Sequence, residues 1–146
     1  MMRDIEDRLA RLEARFELSA LRARYCWHTT RGDRDAVVAL FTEDCLFTNA
    51  RQSEGSVIEV RGRAALSAYL SRMAPGRRVP MVMNEVTEID GATAQGTCVM
   101  QSVSDDPFVG HYIDDFRRVD GRWLFAVRRF FPYYPIYNPA PDRGEA

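Results

Sequence analysis

The chain has 146 residues, 46% of them hydrophobic and 11% aromatic, with a formal net charge of −1 at pH 7. That length and apolar content can bury a core, and the near-even balance of charge excludes a chain-wide pull toward nucleic acid or an anionic membrane surface. No apolar run approaches the roughly 18 residues of a spanning helix, and the N-terminal stretch lacks the apolar segment of a signal peptide.

Cys26, Cys45 and Cys98 are odd in number, widely spaced and without a CxxC pair. The expectation is reduced thiols in a cytoplasmic protein, with no zinc site.

The first element predicted is a long helix. Ile5, Leu9, Leu12 and Phe16 recur at helical spacing, and Ala20, Ala23 and Trp27 continue that stripe. A second stripe, Leu18, Leu21, Tyr25 and His28, lies elsewhere on the same helix. Two apolar faces predict a helix end covered on both sides. Gly32 suits the position after a helix C-terminus, and Asp33 suits the N-cap of a short helix running from Arg34 to Phe41.

The segments CLFTN and SVIEV then read as short strands, and GRAALSAYLSRM as a helix presenting Leu66, Tyr69, Leu70 and Met73. Pro75-Gly76 ends that helix. Long β-rich runs follow from Val79, broken by Asp90-Gly91 and Asp120-Gly121, two hairpin signals. Helices first and a mostly antiparallel sheet after them make an α+β domain over residues 1–137, with a Pro-rich polar tail at 138–146.

Several side chains in this frame could carry chemistry. His28, if inward, is a general base or else a core histidine bonded to a backbone carbonyl; Tyr25 on its stripe is a phenolic donor. On the run FVGHYIDDFRRV, Gly110, Tyr112, Asp114 and Phe116 share one face and His111 the other, and alternation leaves open which face is inward. In the last strand, alternation groups Leu124, Ala126, Arg128 and Phe130 against Trp123, Phe125, Val127, Arg129 and Phe131. An arginine on so apolar a strand needs a carboxylate, and Asp114 and Asp115 are the partners across the hairpin. Arg128 is either half of a structural ion pair or a group that polarises a substrate oxygen. Phe130, Phe131, Tyr133, Tyr134 and Tyr137 form either a pocket wall or a dimer interface. Met81 and Gln101 complete the expected substrate contacts. No phosphate loop, dinucleotide fingerprint, zinc helix or nucleophile elbow is present, so neither cofactor nor metal is expected.

The words RGDRDAVVALFTEDCLF, VRGRAALSAYL, MNEVTEIDGATA and GHYIDDFRRVDGRWLFAVRR, in that order, resemble the SnoaL-like branch of the nuclear-transport-factor-2-like superfamily. The resemblance implies a cystatin-like roll, a cone-shaped curved sheet wrapped around three helices, with a pocket at its wide end. It also implies a homodimer. Polyketide cyclases, steroid isomerases, scytalone dehydratase and lindane dehydrochlorinase share that fold with non-catalytic binding modules. The implied function is cofactor-independent dehydration, isomerisation or cyclisation of a hydrophobic cyclic, polyketide- or steroid-like molecule. Two alternatives are a binding-only member and the small subunit of an aromatic-ring dioxygenase. The family pattern also places a carboxylate where this chain has Thr30 and a histidine where it has Pro80. Neither residue titrates near neutrality, so the usual acid–histidine pair is missing, and His28 is the substitute expected.

Overall fold

The computed structural model describes residues 1–51, 56–104 and 107–133. Tyr134, Tyr137 and the expected tail lie outside the described residues. The elements are α1 (Met2–Arg31), α2 (Arg34–Val38), β1 (Phe41–Arg51), β2 (Ser56–Arg61), α3 (Gly62–Tyr69), β3 (Val79–Asp90), β4 (Thr93–Val103), β5 (Phe108–Val119) and β6 (Arg122–Pro132). The strands form one six-stranded sheet in the order β2-β1-β6-β5-β4-β3. Every pairing is antiparallel except β1 with β6. This is the α+β roll that the sequence led us to expect.

The helix boundaries follow local chemistry. Gly32 takes a left-handed φ of 71° and closes α1, its N–H donating to Thr29 O at 3.0 Å. The Asp33 carboxylate then accepts from the N–H of Ala36 at 3.1 Å and starts α2. The helix α2 stops at Val38, short of the expected Phe41, because Phe41 already opens β1 in register with Phe125. Asp120 and Gly121 both adopt positive φ, at 49° and 75°, as a two-residue hairpin with right-handed strand twist requires.

One face of α1 is buried, through Ala14, Leu18, Leu21, Arg22, Tyr25 and Thr29. Leu18 and Leu21 are wholly covered, and each contributes about 1.5–3 kcal/mol relative to exposure. The expectation of two covered faces is corrected here. Ile5, Leu9, Leu12, Phe16 and Trp27 all stand exposed, because the sheet meets α1 only along the other side, and residues 2–13 carry no buried position at all.

Inner and outer faces are clear on β4, where Ala94, Gly96, Cys98, Met100 and Ser102 are buried in strict alternation. The register carries that face onto Gly110, Tyr112, Asp114 and Phe116 of β5, which are also buried. In β6, strict alternation is corrected by a bulge. Asp115 pairs with Val127 but Phe116 pairs with Phe125, so Ala126 is an extra residue. Phe125, Arg128 and Phe130 therefore share the inner face, where unbroken alternation would have separated them. Among the described residues no helix is long and apolar enough to cross a membrane.

Candidate functional site

A cavity of about 370 Å³ opens between the end of α1, α3 and the inner face of the sheet. Its walls are Phe47, Met100, Phe108 and Phe130, with Leu70 and Met73 from the end of α3. Polar groups are few. Thr29, Asn49 and Tyr69 line one side, and Asn49 Nδ2 donates to the Tyr69 hydroxyl at 3.3 Å. The Thr29 hydroxyl and the Asn49 amide oxygen are buried with no hydrogen-bond partner among the described residues, so both are available to a guest. Arg72, Arg77 and Arg78 form the rim. Arg78 also lies over the Phe108 ring at 5.0 Å.

The floor is the electrostatic centre. Tyr25 and Tyr112 meet edge to face, their ring centroids 6.1 Å apart. Behind them Arg128, fully buried, places its guanidinium carbon 3.5 Å from the Tyr112 ring centre and 4.2 Å from that of Tyr25. Arg128 is paired with the equally buried Asp114, Nε to Oδ1 at 3.2 Å and Nη2 to Oδ2 at 3.4 Å. Arg22, from α1, reaches the same carboxylate at 3.9 Å, Glu85 at 3.5 Å and the Thr87 hydroxyl at 3.0 Å. Glu85 is brought there by a bulge in β3, where Asn84 takes a left-handed φ of 55°. The guanidinium of Arg22 occupies the space that a side chain at Gly96 would need.

Burial sets the protonation states. It pushes the Tyr25 hydroxyl above its ordinary 10.0, against the pull of Arg128 and of a hydrogen bond with Tyr112. Tyr112 is pushed up further, by burial and then by Tyr25. The shared hydrogen bond thus favours charge on Tyr25 over Tyr112. Burial also raises the Asp114 carboxyl to about 6, with Arg128 and Arg22 opposing, so the ion pair is formed at neutral pH. Both tyrosines are proton donors at that pH, and the cation behind them favours negative charge on whatever they bond.

The structure brings together Tyr25, Tyr112, Asp114, Arg128 and Phe130 of the residues singled out from sequence. The others stand off this cavity. After Tyr25 the next lining position of α1 is Thr29, four residues on, and His28, three residues on, is half-buried to one side. Thr30 is half-buried and bonds back to Cys26 O at 2.9 Å. Met81 and Gln101 are exposed on the outer sheet face, while their neighbour Pro80 does line the cavity. Tyr133 is exposed and shares a 2.6 Å hydrogen bond with His111 Nδ1. His111 itself stacks on Phe131 at 4.9 Å, on the outer face. Arg22, Thr29 and Asn49 were not anticipated. For Arg22 and Thr29 the signal was there, because both fall at i+4 steps from Leu18 and Tyr25. Among the described residues no group of three or more metal-binding side chains gathers.

The family model of the SnoaL-like domain matches residues 10–129, which takes in the cavity floor and all of the sheet but the last three residues of β6. The chain belongs to that family. No curated protein matches it. Among solved structures this SnoaL-like chain is similar to an NTF2-like protein with a cystatin-like fold from Novosphingobium aromaticivorans, at 24% identity, 92% coverage of each chain and a TM-score of 0.77. It is similar to a variant of Rv3472, a protein of unknown function from Mycobacterium tuberculosis, at 24% identity over 88% of this chain and 82% of that one, with a TM-score of 0.72. A protein from N. aromaticivorans provisionally named a scytalone dehydratase is 20% identical over 84% of this chain and 86% of its own, with a TM-score of 0.71. At these identities the likeness carries the fold alone.

Proposed function

We propose that this SnoaL-like protein admits a hydrophobic cyclic molecule and acts on it, without a cofactor, as a dehydratase, isomerase or cyclase. The observation that supports this most is the tyrosine pair on the cavity floor with a buried guanidinium behind it. A ring-bearing guest packs on Phe47, Phe108 and Phe130, and its carbonyl or hydroxyl oxygen accepts from Tyr25. As a neighbouring C–H proton passes to a water molecule admitted with the guest, the C–H electron pair moves into the ring and negative charge develops on that oxygen. Tyr25, bonded to Tyr112 and facing the field of Arg128, stabilises that charge more than the neutral ground state, which is the condition for acceleration. Thr29 and Asn49 orient the guest's second polar group, and the rim arginines favour a guest with an acidic or carbonyl substituent. The reduced thiols fit a cytoplasmic setting.

A second reading, a binding-only protein, is favoured by one specific observation. Among the described residues the cavity lining carries no histidine or carboxylate to take the proton.

One experiment separates the two. Cyclic ketones and phenols are screened by ligand-detected NMR, and binders are incubated with protein in D2O while deuterium uptake next to the carbonyl is followed. Uptake that is protein-dependent and lost in Tyr25→Phe supports catalysis. Binding without uptake leaves the binding-only reading, and failure of every cyclic compound to bind ends both.

A further inference from the structure

The exposed stripe of α1 has a spacing of its own. Met2, Ile5, Leu9, Leu12 and Phe16 alternate three and four residues apart, the a/d pattern of a coiled-coil seam, and Ser19 and Ala23 continue it with small side chains. These are not residues caught between two packed layers. Met2 is 79% exposed, Ile5 59%, Leu9 54%, Leu12 65% and Phe16 76%. At about 100° per residue, this seam lies on the side of α1 opposite Leu18, Leu21 and Tyr25, which hold the helix to the sheet. A neighbour laid along the seam therefore meets no part of its own domain body.

The flanks of the seam say what that neighbour is. Glu6 and Glu13 occupy the shoulder after the d positions, and Arg8 and Arg15 the shoulder before the a positions. In a parallel pair of α1 helices, Arg8 of one copy faces Glu13 of the other, twice by symmetry. In an antiparallel pair, glutamates face glutamates and arginines face arginines. The charge pattern thus suits a second copy of the same helix and selects its direction.

We propose that the exposed seam of α1 is a self-association surface, on which a second copy of this chain packs its own α1 in parallel. The two domain bodies then lie on opposite outer sides of the helix pair, and both cavities stay open. The pairing is independent of the chemistry in the cavity.

The test is sedimentation of the full chain across a wide concentration range. The wild type is expected to sediment as a dimer, and Leu9→Glu/Leu12→Glu as a monomer with an unchanged circular dichroism spectrum, since both leucines are exposed. Arg8→Glu is expected to weaken association about tenfold or more, and Arg8→Glu/Glu13→Arg to restore it. Ser19→Cys, on the continued seam, is expected to give an interchain disulfide under mild oxidation that the wild type does not form. A wild type that stays monomeric at all concentrations overturns the proposal, and so does one that binds anionic vesicles as a monomer. A dimer that survives Leu9→Glu/Leu12→Glu places the contact elsewhere and overturns it too. A charge swap that fails to restore association, or a Ser19→Cys variant that does not cross-link, overturns the parallel pairing.

Discussion

Arg128 and Tyr112 are bound face to face, the guanidinium carbon 3.5 Å from the ring centre, and Arg128 is wholly buried behind that ring. The cation cannot be hydrated there, so its whole stabilisation comes from Asp114 and the rings around it.

Removing that cation leaves Asp114 as a buried charge with Arg22 at 3.9 Å as its nearest partner. Arg128→Met is expected to cost about 3–5 kcal/mol, read as a lower urea midpoint. Arg128→Met combined with Asp114→Leu should cost clearly less than the two single changes added together, because it removes both charges. Additive costs would show that the pair is not coupled.

Tyr25→Phe deletes one hydroxyl from the cavity floor and keeps the ring contacts with Phe41 and Phe125. Stability should change by no more than about 1.5 kcal/mol. Affinity for a carbonyl-bearing ligand should fall roughly tenfold, while a purely hydrocarbon ligand should bind as before. Equal losses for both ligands would assign Tyr25 a packing role only.

Alkaline pH supplies a third test. Tyr25 and Tyr112 have folded pKa values above the ordinary 10.0, and burial raises Cys26 from 9.0 to about 11. The folded state then holds these protons more tightly than the unfolded chain does. Their contribution to stability is complete below about pH 8 and is lost as pH rises past the unfolded values. The urea midpoint should therefore be level from pH 7 to 8 and fall from pH 9 upward, with a shallower fall in Tyr112→Phe. By the same shift Cys26 should react slowly with a thiol reagent at pH 8 and speed up tenfold per pH unit toward 11.

Gly96 faces Arg22 with no room for a methyl group. Gly96→Ala should destabilise by about 1–3 kcal/mol, because the methyl group displaces the guanidinium from Glu85 and Asp114 and also presses on the Val86 carbonyl oxygen, 2.7 Å away. A neutral effect in thermal unfolding would mean that both Arg22 and the β3 backbone at Val86 give way freely.

The fold was legible because its signals are local. Gly32, Asp33 and the two Asp-Gly turns each fix a boundary by backbone chemistry, and the structure keeps all four. The site was legible only in part. Tyr112 and Asp114 could be paired with each other on one face, but which face was inward depended on β4, whose clean alternation lies one strand away. His28 and Thr29 differ by one step along α1. A three-residue step from Tyr25 and a four-residue step are equally helical, and the face of α1 that packs on the sheet, through Leu18, Leu21, Tyr25 and Thr29, follows the latter. Arg22 escaped notice because a charged residue on a core stripe is read as solvent-facing until its carboxylates are known. Those carboxylates, Glu85 and Asp114, come from strands 63 and 92 residues further along the chain.

The extra residue in β6 sets a rule for natural variation in this chain. Ala126 is the residue with no partner on β5, so deleting it would leave Val127 opposite Asp115 and Arg128 opposite Asp114 and turn the bulge into a regular ladder with Phe125, Arg128 and Phe130 still inward. Descendants of this sequence could therefore lose position 126 and keep the same inward set. A lineage that kept the residue but straightened the strand would swing the cation out from beneath its tyrosines.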